Sequence, residues 1–294
     1  MTKRRVVLTG ATGYVAQRMW QELHDRFEVV ALDVRTTLGD GTPVPGVVAC
    51  DLAEPDRDVY RGHFRGADAV IHCAWIGPAA GMGGAYETSD DSFRAEHANV
   101  ALAYNVYRTA LEEGVRRVVV ASSNHAADFY ERLIWSERWD HVTPDMAPFS
   151  DNFYGWAKVA YEQLGFVFAT GTVEGRALEV VQIRIGGPRD TADLDSCPPG
   201  DIRRLHRGLG AFLSRRDQVQ LFVRSVEAAD IRNEHGVPFQ VFYGVSGNTH
   251  NFWSIANARR VIGYAPQDDS QVLFADRIAE IARAGRSDAP YRGG

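Results

Sequence analysis

The chain has 294 residues, of which 45% are hydrophobic and 24% charged, a composition typical of a globular protein with a full core. Its formal net charge of −6 argues against a general nucleic-acid binder, which usually carries an excess of Lys and Arg. Cys50, Cys73 and Cys197 are far apart and lack paired ligand spacing, so we expect free thiols, no disulfide framework and no metal site.

The N-terminal residues 1–5 lead directly into an apolar run and leave no room for a signal peptide. No apolar run in the sequence approaches the length needed to span a membrane. We therefore expect a cytoplasmic protein without a membrane partner.

Residues 6–16 join a β-branched run to a helix start through a turn with two glycines. A buried strand passes into a helix in this way around a dinucleotide pyrophosphate. Gly10 would allow a tight turn, and Gly13 would let backbone N–H groups approach a phosphate. Ala16 would let the helix lie close to the strand. A glycine-rich turn without a ligand is the alternative interpretation.

Asp33 follows a second apolar run, residues 29–32, and lies twenty residues after Gly13. In dinucleotide-binding folds an acidic side chain at this place accepts hydrogen bonds from the adenosine ribose. Asp33 therefore favours a bound dinucleotide over a ligand-free turn.

Apolar runs alternate with longer helical patterns through the first two-thirds of the chain, which predicts an α/β fold with a Rossmann-type, doubly wound parallel sheet. The first helix continues through Leu23, and a long helical pattern covers residues 92–114. A third strand is expected at residues 47–52, where Asp51 could either reach an adenine or cap the following turn. His72, in the fourth strand, is predicted to be a hydrogen-bonded core residue and not a metal ligand.

The fifth strand, residues 118–121, ends in four polar side chains: Ser122, Ser123, Asn124 and His125. Open α/β sheets bind ligands at the carboxyl ends of their strands, so these residues mark a candidate site. Residues 128–152 then either cover that site or form a surface insertion.

Tyr154 and Lys158 are four residues apart on a predicted helix, which places them on one face. A protonated lysine favours the phenolate, so we expect Lys158 to lower the pKa of Tyr154 from about 10. Tyr154 could then remove a hydroxyl proton while hydride leaves the same carbon, and Ser123 would orient the reacting oxygen. An exposed aromatic–lysine pair is the usual alternative for this spacing.

After the sixth strand, residues 180–185, the alternation loosens. We expect a Rossmann domain with the catalytic residues over 1–187 and a small, mainly substrate-binding subdomain over 188–294, with some elements returning to the core. The second part includes a basic helix-like stretch at 203–216, a strand at 241–243 and a terminal helix, and it frays from about residue 285.

Together, residues 9–16, Asp33, Asn99, Ser123 and residues 154–158 resemble the extended short-chain dehydrogenase/reductase superfamily, over nearly the whole chain. The resemblance implies a Rossmann fold that binds NAD or NADP, with Ser123, Tyr154 and Lys158 as catalytic residues and Asn99 supporting them. Asp33 favours NAD because it would repel a ribose 2′-phosphate, although Arg35 is near. The expected cofactor contacts are Gly10, Thr12, Gly13, Tyr14, Val15, Asp33, Asp51, Leu52, Cys73, Ala74, Asn99, Tyr154, Lys158 and Ile185.

Within that superfamily, residues 122–125 and 184–186 are similar to the uronate dehydrogenases, which oxidise the anomeric carbon of a hexuronate to an aldarolactone. The resemblance implies that Arg207 pairs with the sugar carboxylate, as an arginine fork can. The expected substrate contacts are Ser123, Asn124, His125, Tyr154 and Arg207. Two departures, Gly77 and Gly187 in place of serines, and longer segments at 77–92 and 129–150 suggest a differently shaped pocket.

The sequence thus predicts an NAD-dependent dehydrogenase that oxidises C1 of a hexuronate or similar anionic sugar to a lactone. The alternatives are a nucleotide-sugar epimerase or dehydratase with tightly bound NAD, and a non-catalytic NAD-binding regulator. The helices around 95–113 and 154–169 carry apolar residues on more than one face, and in this superfamily such a pair often forms a dimer contact, so we expect a homodimer.

Overall fold

The computed structural model describes residues 3–78, 85–173, 175–190 and 200–284. Cys197, the glycine-rich loop beyond residue 78 and the tail from residue 285 lie outside the described residues. The strands are β1 Arg5–Thr9, β2 Glu28–Asp33, β3 Val47–Ala49, β4 Ala69–His72, β5 Arg117–Ser123, β6 Glu179–Ile185, β7 Gly187–Pro188, β8 Phe212–Leu213 and β9 Phe239–Gly244. The helices are α1 Tyr14–Gln17, α2 Trp20–Arg26, α3 Ser89–Glu112, α4 Phe129–Trp135, α5 Phe153–Thr170, α6 Ile202–Ala211, α7 Arg215–Glu227, α8 Ala256–Ile262, α9 Ser270–Leu273 and α10 Ala275–Ala284.

Seven strands form one parallel sheet in the order β3-β2-β1-β4-β5-β6-β9, which confirms the predicted Rossmann-type α/β fold. The chain builds outward from β1 in one direction and from β4 in the other, so the strand order reverses between these two strands. Ligands bind at such a switch point, beyond the carboxyl ends of the strands. In register, Thr9 lies opposite His72, and Ser123 lies opposite Ile185.

The sheet is buried on both faces. Along β5, Val119 belongs to one hydrophobic core, whereas Val118 and Val120 belong to the other. Successive strand residues point to opposite faces, so a continuous valine run serves both layers. The core that contains Val118 and Val120 also receives α3 and α5, which brings α5 against the strand that ends in Ser123.

Several predicted elements differ from the structure. The first helix is interrupted after Gln17: α1 ends there and α2 begins at Trp20, and between them the buried Arg18 donates from Nε to Gln218 Oε1 at 2.9 Å. The third strand ends at Ala49 and not at residue 52. The stretch 203–216 is not one helix, because β8 separates α6 from α7 and the Ser214 side chain caps α7.

Residues beyond 187 also build the main sheet. β9 pairs with β6, and Trp253 is buried in the same core as Leu8. The terminal helix is present as α10. The domain boundary at residue 187 stays a prediction. Over the described ranges, every helix is too short or too polar to cross a membrane.

Candidate active site

The glycine-rich turn has the geometry that a dinucleotide site requires. Gly10 has φ +67°, and a Cβ there would lie 2.5 Å from the Ala74 backbone nitrogen, so only glycine fits. Gly13 is the N-cap residue of α1 and makes no side-chain cap to the first-turn amides. The amides of Tyr14 and Val15 are therefore suited to hold a pyrophosphate.

Asp33 lies beside this turn. Its Oδ2 accepts hydrogen bonds from the Thr12 backbone N–H at 2.9 Å and from the Thr12 hydroxyl at 2.8 Å, and its remaining lone pairs can still accept ribose hydroxyls. Asp51 is exposed and its Oδ1 accepts from the Ala53 N–H at 2.9 Å, which matches the turn-capping alternative, although no helix begins there. The Leu52 side chain is buried in the core, so a cofactor could contact this residue only through its backbone.

The segment after β4 runs past the end of β1. His72 is the predicted core residue: its Nδ1 lies 2.8 Å from the Thr9 hydroxyl, and burial lowers its pKa to about 3. The Cys73 N–H donates to the Thr9 carbonyl at 3.1 Å. Asn99 then fixes the segment, because its amide accepts from the Ile76 N–H at 2.7 Å and donates to the Ile76 carbonyl at 3.0 Å. Asn99 therefore shapes the loop at the edge of the site.

The structure brings the three predicted catalytic residues together. Ser123 ends β5, opposite Ile185 of β6, and its hydroxyl lies near enough to Tyr154 to lower the pKa of the phenol. Lys158 follows one helical turn after Tyr154 in α5, and its Nζ lies 5.1 Å from the centre of the Tyr154 ring. The same Nζ donates to the Ala121 carbonyl at 3.3 Å. Tyr154, Ser123 and Lys158 thus form one cluster at the carboxyl edge of the sheet.

The predicted lowering of the Tyr154 pKa by Lys158 is wrong for the free protein. Burial raises the pKa of Tyr154 to about 12, although the Ser123 hydroxyl acts in the other direction, and the Glu96 and Asp128 carboxylates raise it further. Burial also lowers the pKa of Lys158 to about 8, against the raising effect of Glu96. In the free protein the phenol is therefore protonated at neutral pH.

Glu96 and Trp75 also lie at the site, and sequence reasoning missed both. Glu96 is buried on α3, where its Oε2 accepts from the Asn99 amide at 3.1 Å and from the Trp75 indole N–H at 3.4 Å. The Trp75 ring meets the Tyr154 ring edge-on, with centroids 5.5 Å apart. Burial raises the pKa of Glu96, and Lys158 opposes this shift. One sequence signal could have identified Glu96: it lies three residues before Asn99, and therefore on the same helix face.

Trp75 also explains one of the two glycine departures. A Cβ at Gly77 would lie 2.6 Å from the Trp75 ring, so the indole occupies the space of a residue-77 side chain. At Gly187 the nearest atom to a Cβ would be the Ala211 carbonyl oxygen at 3.5 Å, which is ordinary contact. The site therefore has an aromatic wall at Gly77, whereas Gly187 leaves room for a side chain.

Asn124 and His125 follow β5 on a short 3₁₀ turn. Asn124 is 2% exposed, and within the described part of the chain its Nδ2 has no hydrogen-bond partner. The His125 ring lies edge-on to Tyr154 at 5.5 Å, and its Nδ1 is 2.6 Å from Asp128 Oδ2. Asn124 thus offers an unused donor, and His125 a ring fixed by a carboxylate, next to the candidate catalytic hydroxyls.

Arg207 has a partner within the protein, and its predicted contact with a substrate carboxylate stays a prediction. Its Nε donates to Glu131 Oε2 at 2.9 Å. Burial raises the pKa of Glu131, and Arg207 opposes this shift. The two residues are 76 positions apart in the sequence, so neither spacing nor periodicity could pair them.

Comparisons with known proteins agree with this geometry. Residues 6–222 match the NAD dependent epimerase/dehydratase family. The chain belongs to this family. A uronate dehydrogenase of Pseudomonas putida is 30% identical over 302 residues, covering 99% of this chain and 94% of that protein. An NAD-dependent glucose-6-phosphate dehydrogenase of Haloferax volcanii is 30% identical over 281 residues, covering 90% and 94%. A solved glucuronic acid dehydrogenase from Chromohalobacter salexigens is 26% identical, with a TM-score of 0.69 and coverage of 94% and 89%.

As a member of the epimerase/dehydratase family with these relatives, the chain is an NAD-dependent oxidoreductase that acts on CH–OH groups, and a sugar dehydrogenase. The predicted resemblance and the predicted enzyme class are confirmed. The glycine-rich turn and Asp33 fit the NAD that this family uses.

Proposed function

We propose that the protein oxidises the C1 hydroxyl of a hexuronate or similar anionic sugar to a lactone. The observation that carries this proposal is the cluster of Ser123, Tyr154 and Lys158 next to Asn124 and His125 at the carboxyl edge of the sheet. Two relatives are named for uronate and for glucose 6-phosphate, both of which are sugars with an acidic group. The resemblance to uronate dehydrogenases assigns the acidic group of the substrate to Arg207, which in this structure also pairs with Glu131.

In this proposal the reactive form of Tyr154 is the phenolate, which forms when the phenol loses its proton to solvent in the complex with cofactor and sugar. The phenolate then receives the proton of the C1 hydroxyl, and Ser123 hydrogen-bonds the reacting oxygen. Lys158 stabilises negative charge on the phenol oxygen, because its buried ammonium is held near the ring by the Ala121 carbonyl. The positive charge of the Lys158 ammonium is lost as pH rises through about 8, the lowered pKa of this lysine. When bound, the nicotinamide accepts the hydride released from C1.

The first turn of α1 and the end of β2 would hold the cofactor. Tyr14 and Val15 supply the open amides for the pyrophosphate, and Asp33 supplies the acceptor for the adenosine ribose. Ala74 follows β4 and Ile185 ends β6, the two strands on either side of β5, which ends in Ser123.

The proposed reaction is tested by measuring whether free NADH accumulates. Net growth of NADH absorbance is expected when the purified protein meets NAD and galacturonate, glucuronate or a sugar phosphate, together with formation of the lactone. Sugar conversion without net NADH would identify an epimerase or dehydratase and overturn the proposal. Binding of NAD without turnover of any anionic or uncharged sugar would identify a non-catalytic regulator.

We also expect the enzyme to prefer NAD over NADP by at least about tenfold in kcat/KM, because the Asp33 carboxylate would lie beside a 2′-phosphate and repel it. Asp33→Asn is expected to lower the ratio of kcat/KM with NAD to kcat/KM with NADP. Asp40→Asn removes an exposed carboxylate from the loop after β2 and serves as the control, with the ratio unchanged. Equal use of both cofactors by the wild type would contradict the assignment.

The predicted homodimer has a candidate surface on α3 and α5. Phe93 and Trp156 are 42% and 37% exposed, and their rings lie 5.5 Å apart on this surface. A second copy would bury these aromatic rings. Light scattering is expected to give twice the 32.5 kDa chain mass, and Trp156→Glu is expected to shift the protein toward a monomer. A wild-type species of 32.5 kDa alone would rule out the dimer. The cytoplasmic location stays a prediction.

A further inference from the structure

The Trp75 indole lies at the reacting end of the site, against the candidate catalytic phenol. Trp75 is partly exposed and follows the end of β4, at the same carboxyl edge of the sheet as Ser123 at the end of β5. Its ring meets the Tyr154 ring edge-on, with centroids 5.5 Å apart and an angle of 79° between the ring planes. A molecule that reacts at the Tyr154 hydroxyl therefore binds beside this indole.

The indole is held in place by the protein itself. Its N–H donates to Glu96 Oε2 at 3.4 Å, and the Asn99 amide donates to the same oxygen at 3.1 Å. The Asn99 amide also forms two hydrogen bonds with the backbone of Ile76, the residue that follows Trp75. Glu96 and Asn99 are 1% and 2% exposed, so both anchors are buried on α3. Trp75 is thus preorganised, and little of its freedom is left for a ligand to remove.

The surface that Trp75 offers is apolar. A Cβ at Gly77 would lie 2.6 Å from Trp75 Cζ3 and 2.9 Å from Cη2, so the six-membered ring of the indole packs over the glycine backbone. The only polar group of the side chain, the N–H, is already used by Glu96. A ligand that contacts the indole therefore meets an aromatic surface without a free donor or acceptor.

A pyranose ring complements this arrangement. Its hydroxyls lie around the rim, whereas C–H groups form apolar patches on its faces, which an aromatic ring can cover. Ser123 and His125, whose side chain is 41% exposed, lie beside Tyr154 and can bond to the rim. A carboxylate is disfavoured against the indole, because the face of an aromatic ring is electron-rich. The acidic group of the sugar would therefore point away from Trp75.

We propose that Trp75 is a specificity-determining residue that packs its indole against a C–H face of the substrate's pyranose ring. This inference rests on the proposed function in that the ligand is a sugar. It adds the group that binds the apolar side of that sugar and holds C1 beside Tyr154.

The first test measures sugar affinity by calorimetry on the full chain with NADH present, using galacturonate, glucuronate and glucose 6-phosphate. Trp75→Ala removes the indole, and we expect the dissociation constant of each sugar that binds the wild type to rise about tenfold or more. Trp75→Phe keeps an aromatic face, and we expect affinities within about threefold of wild type. The dissociation constant of NADH is expected to stay within about threefold in both variants.

Gly77→Ala tests the geometry of the indole independently. The added Cβ would clash with the ring and displace it, so we expect weaker sugar binding in the wild-type background. In the Trp75→Ala background the space is free, and Gly77→Ala is expected to cause no further loss. Such non-additivity is the signature of two residues that act through one contact.

Near-ultraviolet difference absorbance reports the contact directly. Sugar binding to the NADH complex is expected to shift the indole bands of the wild type, and Trp75→Phe is expected to lose this shift. Trp156→Phe is the matched control, because it removes another partly exposed indole, one that lies beside Phe93. It is expected to keep the spectral shift and the sugar affinity.

Sugar affinities within about threefold of wild type in Trp75→Ala would overturn the inference. An equal loss of NADH affinity would also overturn it, because the indole would then pack against the nicotinamide and not the sugar. If Trp75→Ala does not fold, Trp75→Leu keeps apolar bulk without an aromatic face and is expected to weaken binding by a smaller factor.

The outcomes for the reaction and for Trp75 can be distinguished. Sugar binding without net NADH formation would overturn the proposed function alone, because the dissociation constants still decide the role of Trp75. Turnover with unchanged sugar affinity in Trp75→Ala would overturn the inference alone. Absence of sugar binding to the wild type would overturn both.

Discussion

Tyr154→Phe is expected to lower kcat at least about a hundredfold, the usual scale for loss of a general base, while NAD still binds. The substitution removes only the phenol oxygen and keeps the ring that meets Trp75 and His125 edge-on. The Lys158 contacts with Ala121 do not depend on that oxygen. Steady-state NADH production measures kcat, and quenching of protein fluorescence by NADH measures cofactor binding.

Tyr161→Phe is the matched control. Tyr161 lies on the same helix, is also buried, and has the Lys158 Nζ 4.9 Å from its ring centre. It belongs to the core that contains Val118. We expect turnover within a few-fold of wild type. Comparable losses in both variants would mean that a tyrosine near Lys158 is needed for packing, and the role of Tyr154 as general base would then be rejected.

The fold could be predicted from sequence because its signals are local. The turn at Gly10, the acidic end of β2 at Asp33 and the alternation of strands with helices each occupy a short window. Residue 10 has a positive φ and lies against the Ala74 backbone, and only glycine meets both requirements. Where prediction was wrong, a distant contact was involved: the predicted helix at 203–216 is divided by β8, which pairs with β7.

The site was predicted only where its residues lie at strand ends or share a helix face. Ser123 follows a strand, and Tyr154 and Lys158 are one helical turn apart. Glu96 and Glu131 could not be predicted, because a glutamate on a helix is ordinarily solvated. Their burial beside Trp75 and Arg207 depends on tertiary packing. The pKa of Tyr154 was misjudged for the same reason, since the lysine could be predicted but the burial could not.

Glu162→Gln is expected to destabilise the protein by about 3 kcal/mol or more, because it leaves the Arg184 charge buried without a counter-ion. Both residues are nearly inaccessible: Arg184 is 2% exposed and Glu162 is 1% exposed. The Arg184 guanidinium donates from Nη2 to Glu162 Oε2 at 2.8 Å and from Nε to Oε1 at 3.0 Å. Burial lowers the pKa of Arg184, and the Glu162 carboxylate holds it above its ordinary value; without that carboxylate the unfavourable effect of burial is no longer offset.

Urea unfolding measures this change, and Glu227→Gln provides the control. Glu227 forms the same kind of paired contact with Arg26, but on the surface, where the side chains are 30% and 54% exposed, and we expect a cost below about 1 kcal/mol. Glu162 also accepts a hydrogen bond from Ser122, so it ties α5 to β5 and β6 directly behind Lys158. Glu162→Gln is therefore expected to lower kcat together with stability, whereas Glu227→Gln leaves kcat unchanged. Equal costs in the two variants would show that burial does not set the strength of the Arg184 pair, and the helix that carries Tyr154 would then need another anchor.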